Sequence, residues 1–124
     1  MATYKVRAFC RFARKHRITD HTLARAAAAV RAGNADADLG AGLYKQRVAR
    51  PGGGKSGGFR VLLAYRHGEH MFLLHGFAKN ECDTLEPQQS ADLKRLARKL
   101  GALTRAQLTI AVEEDELEEI ATWQ

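Results

Sequence analysis

The sequence predicts an α+β fold, with a small antiparallel β-sheet and helices packed on one face. Three observations carry that expectation. Segments 43–49, 59–66 and 70–77 read as strands from the way their residues alternate between two faces, and they are joined by turn-forming links. Segments 21–32 and 88–100 instead repeat apolar residues at helical spacing. The strands follow one another without intervening helices, which favours an antiparallel meander over a parallel sheet.

Taken in chain order, Thr3 to Phe9 reads as a short strand or an extended lead-in. Phe9, Phe12 and Ala13 then fall at i, i+3, i+4, which predicts a helical turn through about His16. Thr19-Asp20 is an N-cap for a helix whose apolar face is Leu23, Ala26, Ala27 and Val30, and Gly33-Asn34 ends it. Residues 36–42 read as loop, with a sharp turn or close backbone approach where two glycines flank Ala41. In the first central strand Lys45 and Arg47 share a face, opposite Tyr44, Gln46 and Val48. In the second, Phe59, Val61, Leu63 and Tyr65 share one face, and Arg60, Leu62, Ala64 and Arg66 the other. His67-Gly68-Glu69 makes a hairpin turn into the third, where Gly76 marks a bulge or a close approach. A helix at 88–100 carries the stripe Leu93, Leu96, Ala97, Leu100, and Thr104 with Gln107 forms a capping box for a last helix to about Val112. The expected organisation is one domain over 1–112 and an acidic tail over 113–124, exposed or loosely docked.

Composition bounds the function classes. The chain has 124 residues, 45% hydrophobic and 27% charged, ordinary for a soluble domain with a modest core. Two cysteines, Cys10 and Cys82, with no CxxC spacing, argue against a disulfide scaffold or a structural zinc site. The opening MATYKVRAF lacks the apolar run of a secretory signal, and no stretch approaches the ~18 apolar residues of a membrane span. A cytoplasmic protein with reduced thiols is expected, with no metal and no cofactor. The net charge of +6 is unevenly placed. Residues 1–80 carry 15 Lys/Arg against 4 Asp/Glu, whereas residues 81–124 carry 5 against 10. A basic body of this kind suits an anionic partner, most often nucleic acid.

The densest cationic stretch is Leu43 to Lys79, in which a basic strand enters the glycine-rich run Pro51-Gly52-Gly53-Gly54-Lys55-Ser56-Gly57-Gly58. Gly54-Lys55-Ser56 imitates the end of a Walker A loop, but Ala49 stands where that motif needs its first glycine, and a strand rather than a helix follows. The run is therefore a hairpin loop, or a loop whose backbone N–H groups and Lys55 meet phosphates.

The run DADLGAGLYKQRVARPGGGKSGGFRVLLAYR and the later FLLHGFAKNE resemble the RelE/HigB group of toxins from bacterial type II toxin–antitoxin systems. The resemblance extends from about Val6 to Gly101, and LYKQRVARPGGGKSGG is its most specific part. It implies an α+β fold and metal-independent cleavage of mRNA, commonly on the ribosome, with translation inhibited and growth arrested. It also implies a neutralising antitoxin, expected to be a small helix-turn-helix protein, and no membrane partner. By this likeness Arg60 is the basic residue of the central strand, Lys45 and Arg47 belong to the strand before it, and Lys79 follows the last strand. Arg50 and Arg66 extend the RNA-binding set. Arg60, Lys79, Lys55 and His75 are the catalytic candidates.

The chemistry needs a base for the RNA 2′-hydroxyl, an acid for the leaving oxygen, and cations for the charge of the phosphorane. Many nuclease relatives place a tyrosine or histidine soon after the last strand's basic residue. Here Asn80-Glu81-Cys82-Asp83 follows Lys79, so the acid and base fall among Lys55, Lys79, His75, Asp83 and Glu81. The same departure keeps open a ParE-like protein that poisons DNA gyrase by contact, or a non-catalytic nucleic-acid binder. The acidic tail is a solubilising segment, or a cover for the basic groove of its own chain.

Overall fold

The computed structural model describes residues 2–49, 58–78 and 85–120. Ten elements follow in the order β1 (Thr3–Val6), α1 (Arg7–Lys15), α2 (Asp20–Arg31), β2 (Ala37–Gly40), β3 (Leu43–Val48), β4 (Phe59–Tyr65), β5 (Met71–Ala78), α3 (Pro87–Gly101), α4 (Arg105–Glu113) and β6 (Leu117–Glu119). The strands form one sheet in the order β2-β3-β4-β5-β1-β6. All neighbours are antiparallel except β1 and β5, which run parallel. The α+β class is as the sequence predicts.

The helices cover both faces of the sheet rather than the one face expected. On one side α1 and α2 bury Phe9, Ala13, Leu23, Ala27 and Val30 against Val48, Phe59, Val61, Leu63 and Leu73. On the other, Ala97 of α3 and Leu108 of α4 meet Leu43, Leu62, Ala64, Phe72 and Leu74. The reason lies in β4. Leu62 and Leu63 point to opposite faces and both are fully buried, so the strand is apolar on both sides and requires two covers.

Two local expectations are also corrected. Part of the 36–42 loop is strand β2, paired to β3 through a turn in which Gly40, Ala41 and Gly42 all take positive φ (89°, 56° and 79°). The acidic tail is not loosely docked over residues 117–120. β6 pairs with β1, and Leu117 and Ile120 are buried. Glu118 lies 2.9 Å from the Nζ of Lys5, which also bonds Asp20 at 2.8 Å. Burial alone would lower the pKa of Lys5, but the two carboxylates outweigh it and hold it above its usual value. This edge lies four strands from β3, so residues 117–120 do not cover the basic strand.

Several expectations hold in detail. Thr19 caps α2 by accepting the Thr22 N–H, and Thr104 with Gln107 forms the complete capping box of α4. Gly76 is a point of close approach. A Cβ there would run into the Phe12 ring, so glycine lets α1 lie down on β5. The bulge itself falls two residues earlier, at Leu74, where the β4–β5 register shifts.

Candidate functional site

The register of three strands builds the site. Arg47 of β3 lies opposite Arg60 of β4, which lies opposite Phe77 of β5. In the next row Lys45 lies opposite Leu62, and Leu62 opposite His75. Side chains alternate along a strand, so Lys45, Arg47, Arg60 and His75 all stand on the face that α3 partly covers. The bulge at Leu74 is what turns His75 to this face.

Arg47 and Arg60 are close neighbours. The backbone N–H of Tyr65 donates to the Gly42 carbonyl, and the Arg47 N–H points the other way, donating to Asp36 Oδ2 at 2.7 Å. Every second β3–β4 pair is therefore hydrogen-bonded, and Arg47–Arg60 and Lys45–Leu62 are the closely spaced, non-hydrogen-bonded kind, about 4.5 Å between Cα atoms. Two cations directly opposite each other on a sheet repel. The repulsion is only partly relieved by Asp36, whose Oδ2 is 3.8 Å from the Arg47 Nε. Arg60 is half-buried, and its Nη1 is shut from solvent with no hydrogen-bond partner among the described residues. An unpaired buried donor is costly, and a phosphate oxygen placed there would satisfy it.

His75 is half-buried under the first turn of α3, with its Nε2 3.5 Å from the Nε2 of Gln89. Burial pushes its pKa below the usual histidine value, so the ring is neutral at neutral pH and offers a lone pair. Glu86 gives α3 no side-chain cap, which leaves the positive end of the helix dipole turned toward this part of the sheet.

The structure thus brings together Lys45, Arg47, Arg60 and His75. Arg66 does not join them. It follows Arg60 by six residues, roughly 20 Å along an extended strand. There it lines a separate cavity with Glu69, His70 and Arg98. Lys55, Lys79 and Arg50, with Glu81 and Asp83, lie outside the described residues. Sequence reasoning missed two contributors. Asp36 anchors β3 by accepting the Arg47 N–H, and Gln89 reaches His75 from the first turn of α3, off the apolar stripe by which that helix is read. Among the described residues no three His, Cys, Asp or Glu side chains are grouped to hold a metal ion.

The site is thus a pair of facing arginines on one face of an α+β domain, an arrangement with the charge to hold an anion. The family model described as the RelE toxin of the RelE/RelB toxin–antitoxin system matches residues 1–120, and the chain belongs to that family. It is accordingly the toxin half of a toxin–antitoxin pair, whose natural partner is an antitoxin. The match includes β6, consistent with that strand's place in the sheet. No curated protein matches the chain.

Proposed function

We propose that this toxin is an endoribonuclease that cuts mRNA, on the ribosome, and so arrests translation. The observation that carries the reading is the buried Arg60 Nη1, unpartnered among the described residues, set beside Arg47 on the same face as His75. In the proposed reaction His75 takes the proton of a 2′-hydroxyl, whose oxygen bonds the adjacent phosphorus. The bond from phosphorus to the 5′-oxygen breaks, leaving a 2′,3′-cyclic phosphate. Lys79, next in sequence after Ala78, returns a proton to the leaving oxygen. Arg60 and Arg47 stabilise the charge that builds on the phosphorane, and Lys45 holds a neighbouring phosphate. His75 stands diagonally across from Arg60, about 7–8 Å between Cα atoms, a separation that one phosphodiester bridges.

The test is expression of the chain without its antitoxin, with primer extension on cellular mRNA and circular dichroism of the purified protein. Arg60→Ala is expected to stay folded, lower the cleavage rate about 100- to 1000-fold and relieve growth arrest. Arg60→Lys is expected to recover only part, because an ammonium lacks the two-pronged grip of a guanidinium. A folded, fully toxic Arg60→Ala would overturn the assignment. Growth arrest by the parent without any RNA cleavage would replace it with a poison acting through protein contact.

A further inference from the structure

The end of the sheet remote from Arg60 holds a cavity of about 300 Å³, large enough for a small molecule. It exists because small residues meet there. Ala64 of β4 and Ala97 of α3 line it, with Gly42 from the β2–β3 turn and Gly101 at the end of α3, and sheet and helices do not close over them. The floor is hydrocarbon: Ala64, Phe72, Ala97 and Leu108 are all buried in one apolar cluster.

The mouth is basic. Arg66 follows β4 and Arg98 stands in the last turn of α3. Both are exposed, and among the described residues neither guanidinium forms a hydrogen bond or an ion pair. The Cδ of Arg66 lies 3.9 Å from where Gly101 would carry a Cβ, so its stem rests against the helix end that also bears Arg98. Glu69 lines the same mouth yet pairs with neither arginine. His70 adds a further polar group. Its Nδ1 accepts the Ala2 N–H at 3.1 Å and its ring meets Tyr4 edge-on, which fixes the ring and leaves its proton on Nε2.

We propose that this cavity binds a small monocarboxylic acid with a hydrocarbon body. Arg66 and Arg98 take the carboxylate, the Nε2–H of His70 is a third donor, and the body fills the floor. Three features select that chemistry. The floor side chains carry no polar group, so a nucleobase or a sugar would leave its own donors and acceptors unpaired there. Two arginines against one glutamate leave a single positive charge at the mouth, which suits a monoanion better than a phosphate dianion. The planar fork of a guanidinium also matches a carboxylate in shape. The proposal does not rest on the nuclease reading, since Arg66 stands roughly 20 Å along the strand from Arg60.

The experiment titrates the full chain, freed of its antitoxin, with phenylacetate and follows backbone amides by NMR. Shifts are expected at Gly42, Phe72 and Gly101 and not at Arg47 or Arg60. The dissociation constant should be on the order of 0.1–1 mM, ordinary for a ligand of this size. Arg66→Gln and Arg98→Gln should each weaken binding about 5-fold, and the neutral phenylacetamide should bind about 10-fold more weakly than the acid. Glu69→Gln should tighten phenylacetate about 2-fold and strengthen binding of phenyl phosphate by more. All three positions are exposed, so the variants should fold, which circular dichroism checks. A folded Arg66→Gln/Arg98→Gln variant with unchanged affinity, an amide that binds as well as the acid, or shifts confined to the Arg47–Arg60 end overturns the proposal. So does a parent that ignores the acid while its antitoxin shifts these amides, which would make the cavity part of the toxin–antitoxin interface.

Discussion

A guanidinium nitrogen sealed from water with no acceptor is destabilising, and among the described residues Arg60 presents one opposite a second arginine. The fold therefore gives up stability at this position, which an anion bound there would restore. Replacing Arg60 by methionine, which keeps the aliphatic bulk and removes the charge, should raise stability by about 0.5–2 kcal/mol while abolishing toxicity. Urea denaturation of parent and variant checks the sign. A variant less stable than the parent would mean that Arg60 is satisfied in the native protein. His75 makes a second prediction at this scale. Burial holds its folded pKa below 6.5, so the native protein binds fewer protons than the unfolded chain over that window. Its contribution to stability is present above pH 6.5 and is lost as pH falls through the folded pKa. If His75 is the base, cleavage rises over the same window and is level by neutral pH. His75→Gln should remove that limb and cost about 100- to 10,000-fold in rate. Rates and urea midpoints between pH 5 and pH 8 test both, and an unaltered pH profile in the variant would exclude His75 as the base.

At the scale of elements, the contact between α1 and β5 is the most exacting. Gly76→Ala would drive a methyl group into the Phe12 ring, which is already confined by Phe9, His16 and Phe59. The expected loss is about 1–3 kcal/mol, read from chemical denaturation, and Phe12→Ala in the same chain should recover part of it. The role of Gly76 was legible as a glycine inside an apolar strand, and so were β3, β4, β5 and the caps of α2 and α4, because local spacing and turn chemistry determine them. The two-sided cover was not read, although the adjacent Leu62 and Leu63 carried the signal. β2 and β6 were illegible for another reason. Ala37–Gly40 and Leu117–Glu119 are short, and rich in glycine or acid, and they become strands only through partners elsewhere in the chain. In the site, Lys45, Arg47 and Arg60 could be placed together by counting along strands. His75 could not, since its facing depends on the bulge at Leu74, and the remoteness of Arg66 follows from strand length rather than residue type.

For the whole molecule, charge is polar as well as unequal. Cations occupy both faces of the sheet end formed by Val48, Phe59 and Ala78, whereas Glu114, Asp115, Glu116, Glu118 and Glu119 lie along the β6 side, where Arg7 donates to the Glu114 and Asp115 carbonyls. Such a dipole orients the approach of a polyanion before contact. With about four phosphates neutralised on a single strand, binding should weaken with salt at a log–log slope of roughly −3, and Lys45→Ala or Arg47→Ala should each flatten it by roughly 0.7. Filter-binding titrations across salt measure the slope, and a value near zero would remove the case for a phosphate grip.

The seat of β1 between β5 and β6 has a temporal meaning. Its partners are the strand beginning at Met71 and the three residues from Leu117, so β1 waits for two segments made much later than itself before both its edges are paired. Pairings this distant in sequence form late. A nascent chain still short of β6 leaves Lys5 without Glu118 and β1 without its outer neighbour. The sheet that aligns Arg47 with Arg60 closes fully only once Leu117–Glu119 have been made, so a nascent chain short of them is not yet a complete toxin.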